Sequence, residues 1–250
     1  MPLKIFGPEG DPIRTLGEWE RFGGPQSPSQ WRDGRSAKEC AKSWLRPGRP
    51  ALPAELLELF ASHPTTTGLT AESAYPEVET RLDGFNGKGR FHDVVLEATC
   101  TGGKLVASIE AKADEAFGDL VIDARATALA RTAGTKVPAR MKLLGEALFG
   151  SEVYIEGLRY QLLYAIAGSL IEARKRGADL AAFIVHEFAF AGHVDANKLD
   201  RNANDLDTVL GALGLDQLPQ LGCLVEVPSI PGGPFVPSDI PLFVGKTRVT

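Results

Sequence analysis

The chain has 250 residues, 44% hydrophobic and 24% charged, an ordinary globular composition able to bury one large core. Its net charge of −5 counts against tight, sequence-independent nucleic-acid binding, which a basic face usually supports, but leaves room for a local basic patch. The opening residues lack a basic stretch followed by an apolar run, the longest apolar run is broken by His186 and Glu187, and the three cysteines are scattered. The sequence therefore predicts a cytoplasmic protein with no signal peptide, membrane partner, disulfide framework or zinc knuckle.

Residues 1–30, rich in Gly, Pro and Ser, read as an irregular arm anchored by Trp19 and Phe22. Ser36 to Glu39 has capping-box spacing and opens a helix that runs to about Trp44. A second helix opens at Pro53 and carries Leu56, Leu57, Leu59 and Phe60. A loop with Gly84, Gly87 and Gly89 precedes two strand-like runs, Phe91 to Cys100 and Lys104 to Ala113, which flank Thr101-Gly102-Gly103 as a β-hairpin. Helical patterns follow at about 119–132, 138–149 and 152–176. Leu180 to Phe190 reads as a strand buried on both faces. A short helix at about 204–213 and strands at Leu224–Val227 and Pro241–Val249 complete the chain. This order predicts one α/β domain over 1–250, with a mixed central β-sheet flanked by helices, a core at about 53–190 and a C-terminal extension at 191–250. A homo-oligomer is compatible with it.

Several motifs can be set aside. Gly245-Lys246-Thr247 lacks the glycine and the following helix of a phosphate loop. Gly84, Gly87 and Gly89 precede a strand instead of following one. No serine-hydrolase elbow occurs, and His63, His92, His186 and His193 form no i, i+4 metal-ligand pair; His186 and His193 read as structural.

The hairpin carries the chemistry. Alternation puts Val106, Ser108, Glu110 and Lys112 on one face of its second strand and Leu105, Ala107, Ile109 and Ala111 on the other. A turn centred near Gly102 sets Glu110 opposite residues 93–95, within reach of Asp93, so that two carboxylates can share a cation. A Glu-x-Lys triplet alone arises by chance roughly once per few hundred residues. Its weight comes from the hairpin, the facing Asp93, and the preceding helix with Glu55 and Glu58. An alternative reading is a Glu–Lys–Asp salt-bridge cluster on a half-exposed sheet.

His92-Asp93 followed by Glu110-Ala111-Lys112, with a helix before and a helix plus strand after, resembles the core of the PD-(D/E)XK nuclease superfamily. Trp31, Arg35-Ser36-Ala37, Trp44, Glu110 to Gly118, Gln161-Leu-Leu-Tyr164 and Pro241 to Lys246 are similar to an uncharacterised bacterial family assigned to that superfamily. His92 stands where the superfamily pattern has proline. The resemblance implies a restriction-endonuclease-like fold and Mg²⁺- or Mn²⁺-dependent hydrolysis of phosphodiester bonds in DNA or another nucleic acid. Asp93, Glu110 and the Ala111 carbonyl would then be metal ligands and Lys112 would orient or activate the attacking water. Gln161 and Tyr164, on one helix face, would support the site, and Glu58 would be the helix carboxylate, with Glu55 competing. Lys88, Arg90 and His92 offer a local phosphate contact. A catalytically silent binding or assembly protein on the same fold is the rival expectation, and a hydrolase of small phosphate esters a third.

Overall fold

Every side chain from Leu105 to Lys112 is buried, and so is every one from Leu180 to Phe188, so both runs need cover on two faces. A computed structural model, which describes residues 2–25, 27–46, 48–150, 154–190, 196–216 and 218–250, supplies it. Seven strands, β1 (Lys4–Ile5), β2 (Thr70–Thr80), β3 (Arg90–Cys100), β4 (Gly103–Lys112), β5 (Leu180–Phe188), β6 (Leu224–Glu226) and β7 (Leu242–Val249), form one mixed sheet ordered β1-β2-β3-β4-β5-β7-β6. The β3–β4 hairpin is antiparallel, while β5 lies inside the sheet, parallel to both β4 and β7.

Helices α1 (Leu16–Gly23), α2 (Ser36–Trp44) and α3 (Ala54–Ala61) cover one face. Their Trp19, Trp44, Leu56 and Phe60 pack with Leu105, Ala107, Ile109 and Ala111 of β4. Helices α4 (Val121–Arg131), α5 (Val137–Phe149), α6 (Tyr160–Lys175) and α7 (Ala196–Ala212) cover the other. There Leu162, Leu163, Ile166 and Leu170 of α6 meet Val106, Phe183, Val185 and Val244. The alternation read from β4 thus divides two cores, as expected for helices on both faces of a sheet. Among the described residues no helix is long and apolar enough to cross a membrane.

Several boundaries differ from the sequence reading. The first thirty residues are not irregular: they supply β1 and α1, and Thr15 and Glu18 close a reciprocal capping box at the start of α1. The box expected at Ser36 is absent, because Arg35 is the N-cap residue of α2. Ser36 instead donates to Glu115 at 3.1 Å, and Glu39 accepts from the Gly34 amide at 2.8 Å. Strand β2 has no counterpart in the sequence reading. Helix α6 starts at Tyr160 because the preceding residues pair elsewhere: Arg159 bridges Leu120, and the Val121 amide donates to the Leu158 carbonyl at 2.9 Å. The expected start at 152 lies outside the described residues, as does His193. Helix α7 begins before position 204, at Ala196. The segment after 190 is more than an extension, since β7 pairs with β5 along eight residues. Gly245 to Thr247 lies within β7, where no phosphate loop can form.

Candidate metal and phosphate site

The site lies where two strands part. The β3–β4 ladder runs from Cys100–Gly103 to Val94–Ile109, whereas β4 stays paired with β5 as far as Lys112–Glu187. Beyond Ile109 the edge of β4 facing β3 is open, and the Ala111 amide there donates to Asp93 Oδ2 at 2.7 Å. One strand further, β2 brings in Glu77, a non-glycine residue in the left-handed region at φ 52°, a costly conformation away from glycine. Asp93, Glu110, Glu77, Gln161, Tyr164 and Arg90 line one cleft of about 520 Å³.

Behind two of these lining residues, Lys112 Nζ donates to Glu110 Oε1 at 2.9 Å and to Gln161 Oε1 at 3.3 Å. The Gln161 amide nitrogen donates back to Glu110 Oε1. Lys112 also sits over the Phe117 ring, 5.1 Å from its centroid. Glu110 and Lys112 are only 4% and 5% exposed, so this ion pair is largely withdrawn from water and depends on its hydrogen bonds. Among the described residues, Asp93 Oδ1 and Glu110 Oε2 accept no hydrogen bond, and neither oxygen of Glu77 does.

Charge is crowded accordingly. Burial, then the Glu110 carboxylate, raise the Asp93 pKa well above the carboxylate range, against the pull of Lys112. Burial and Glu110 push Glu77 up to about 7. For Lys112 burial works against the ammonium, but the Glu110 and Asp93 carboxylates outweigh it and hold the pKa above the usual lysine value. Burial and Glu110 likewise raise the Tyr164 phenol, which stays protonated.

No group of three or more His, Cys, Asp or Glu side chains among the described residues is arranged to hold a metal ion. The donor chemistry nevertheless fits a hard divalent cation. Two facing carboxylates each keep one oxygen without a protein donor beside the Ala111 peptide, and their mutual repulsion is what such a cation relieves.

The structure brings Asp93, Glu110, Ala111, Lys112, Gln161 and Tyr164 together. It leaves Glu58 out: this residue is exposed on α3, which covers the opposite face of the sheet. Glu55 is engaged elsewhere, 3.0 Å from His186 Nε2. His92 cannot be a phosphate contact, because it is 2% exposed against α6, and burial lowers its pKa to about 4 and keeps it neutral. Sequence reasoning missed Glu77, which lies in the unrecognised strand β2. It also missed what joins Arg35-Ser36 to the segment after Lys112: Arg35 pairs with Asp114 at 2.6 Å, and Ser36 with Glu115, tying α2 to the end of β4.

No solved structure matches the chain. A family model described as "Domain of unknown function (DUF6946)" matches residues 12–249. With nearly the whole chain inside that match, the protein belongs to the DUF6946 family.

Proposed function

We propose that the protein is a cytoplasmic Mg²⁺- or Mn²⁺-dependent phosphodiesterase acting on DNA or another nucleic acid. The observation that carries this reading is the meeting of Asp93, Glu110 and Lys112 at the open edge of β4, with one oxygen of each carboxylate left without a protein donor. The resemblance of these residues to the PD-(D/E)XK pattern supports it, as does the mixed sheet with helices on both faces. The three free cysteines are in keeping with a reducing compartment.

Asp93, Glu110 and the Ala111 carbonyl would hold the cation. When bound it neutralises the phosphate and lowers the pKa of a coordinated water. Lys112 acts as an ammonium: anchored on Glu110 Oε1 and Gln161 Oε1, it presents its remaining proton to the attacking water or to a phosphate oxygen and positions either one. Gln161 fixes both partners of that pair. Tyr164, protonated, adds a hydroxyl donor to the wall of the cleft.

One observation favours the silent rival. Lys112 is buried and already neutralises Glu110, as a structural ion pair would. The two readings separate in an assay of labelled single- and double-stranded DNA and RNA with Mg²⁺, Mn²⁺ or EDTA. Metal-dependent cleavage that Asp93→Asn removes is expected; a wild type that cleaves none of these substrates with either metal overturns the enzyme reading.

A further inference from the structure

Arg90 opens β3, three residues before Asp93, and lines the same cleft. Its guanidinium carbon lies 5.4 Å from the Tyr160 ring centroid and 5.2 Å from that of Tyr164. Its Nε is buried without a hydrogen-bond partner, and among the described residues the side chain makes no ion pair. The other shielded arginines behave differently: Arg140 pairs with Asp83, Arg159 with Asp205, Arg176 with Glu97 and Glu172, and Arg248 with Glu187. Arg90 has carboxylates in its own cleft and binds none of them.

A guanidinium withdrawn onto aromatic rings gives up water at its faces, and the rings hold its plane and the direction of its N–H groups. Leaving the buried Nε without an acceptor is unfavourable. The cleft also carries both signs of charge. Glu77, Asp93 and Glu110 line it together with Arg90 and the exposed Lys88, which among the described residues is likewise without an ion pair. A metal-bound phosphate has the complementary pattern, cationic towards the carboxylates and anionic towards the guanidinium.

We infer that Arg90 is the phosphate clamp of this cleft. Its forked N–H groups take the non-bridging oxygens of a phosphodiester, and Tyr160 and Tyr164 hold the fork in place. This deepens the phosphodiesterase reading and rests on it only for the identity of the ligand. The planar fork matters beyond the charge, since it matches two phosphate oxygens at once and an ammonium does not.

Binding of a short, labelled single-stranded DNA to the full chain, followed by anisotropy over a range of KCl concentrations with Ca²⁺ or with EDTA, tests the clamp. Arg90→Gln is expected to weaken binding roughly tenfold or more and to reduce the slope of log K against log salt by about 0.7, the value for one lost phosphate contact on a single strand. Arg90→Lys keeps the slope but recovers only part of the affinity. Thermal melts confirm that both variants fold, and Mn²⁺ affinity measured by electron paramagnetic resonance stays at the wild-type value. Competition by a nucleoside monophosphate as strong as by the oligonucleotide would uphold the clamp and assign it to small phosphate esters. Unchanged affinity and slope in Arg90→Gln overturn it, as does a wild type that binds neither ligand. Arg90-dependent binding in a protein that cleaves nothing leaves the clamp standing and removes the hydrolytic reading, whereas cleavage with Arg90-independent binding does the reverse.

Discussion

The Asp93 carboxylate accepts the Ala111 amide proton at 2.7 Å, in the gap where β3 has left β4. An asparagine carbonyl can accept the same proton without bringing a charge beside Glu110. Because the Asp93 pKa is raised in the folded chain, ionising this group weakens folding, and the penalty is present at high pH and disappears once the unfolded carboxylate is protonated as well, below about pH 3.9. In the absence of divalent metal, Asp93→Asn is therefore expected to raise the melting temperature at pH 8 and to leave it nearly unchanged at pH 4. In the same variant, cleavage with Mg²⁺ should fall by on the order of a hundredfold or more. A variant less stable than wild type at pH 8 would show that the charge of Asp93 is needed for the fold.

Removing Lys112 tests the other half of the cluster. Lys112 is buried, so its deletion costs stability whether or not it serves catalysis. Lys112→Ala leaves Glu110, 4% exposed, with Gln161 as its remaining hydrogen-bond partner. Metal-free stability should drop by roughly 3–5 kcal/mol, as for other broken buried pairs. Under the metal-site reading, millimolar Mg²⁺ returns more of the lost melting temperature to the variant than it adds to the wild type. Equal shifts in the two proteins would argue that no cation reaches Glu110.

What could be read from the sequence follows from how evenly the pattern is written. Strand β5 opens on the apolar run Leu180 to Val185, β4 keeps a complete apolar face in Leu105, Ala107, Ile109 and Ala111, and the turn at Thr101-Gly102-Gly103 fixed the register, so the facing of Asp93 and Glu110 followed from counting. Strand β2 was illegible for a physical reason. Its sequence, Thr-Ala-Glu-Ser-Ala-Tyr-Pro-Glu-Val-Glu-Thr, contains three glutamates and Pro76, a residue that argues against a central strand. It is tolerated because β1 covers β2 only at Ser73 and Ala74, which leaves an open edge beyond. The irregular pairing between Ala71 and Ser73 and the left-handed backbone at Glu77 further disturb the alternation. Glu77 was lost with the strand. Glu58 erred in the opposite way: helix spacing shows which residues share a face, but not which face of the sheet the helix covers.

The buried His92 gives the chain a pH signature of its own. Its folded pKa of about 4 lies below the ordinary value of 6.5, so between these limits the unfolded chain takes up a proton that the folded chain refuses. Stability is unaffected by His92 above pH 6.5 and falls as the pH drops towards 4, by on the order of 3 kcal/mol in total. Glu77, pushed up to about 7, acts with the opposite sign over an overlapping range. The test is therefore the difference between two curves. Urea denaturation of wild type and His92→Asn from pH 4 to 8 should show the wild type losing ground steadily below pH 6.5. Parallel curves would mean that His92 is free to protonate in place.

His92 also sets how closely α6 approaches the sheet. A Cβ added to Gly168 would lie 2.6 Å from His92 Nε2 and 2.8 Å from its Cε1, closer than packed atoms can stay. Overpacking of this kind costs roughly 1–3 kcal/mol, whereas alanine in place of a helical glycine returns about 1 kcal/mol. Gly168→Ala is expected to be destabilising, and the same substitution should become stabilising by up to about 1 kcal/mol once His92→Ala has cleared the space. A double-mutant cycle by chemical denaturation measures that reversal as a coupling energy. Helix α6 also carries Gln161, which bridges Glu110 and Lys112. Moving the helix outward should therefore slow metal-dependent cleavage in Gly168→Ala, and His92→Ala should restore it in part. Additive stabilities across the cycle would show that α6 accommodates the methyl group without leaning on His92.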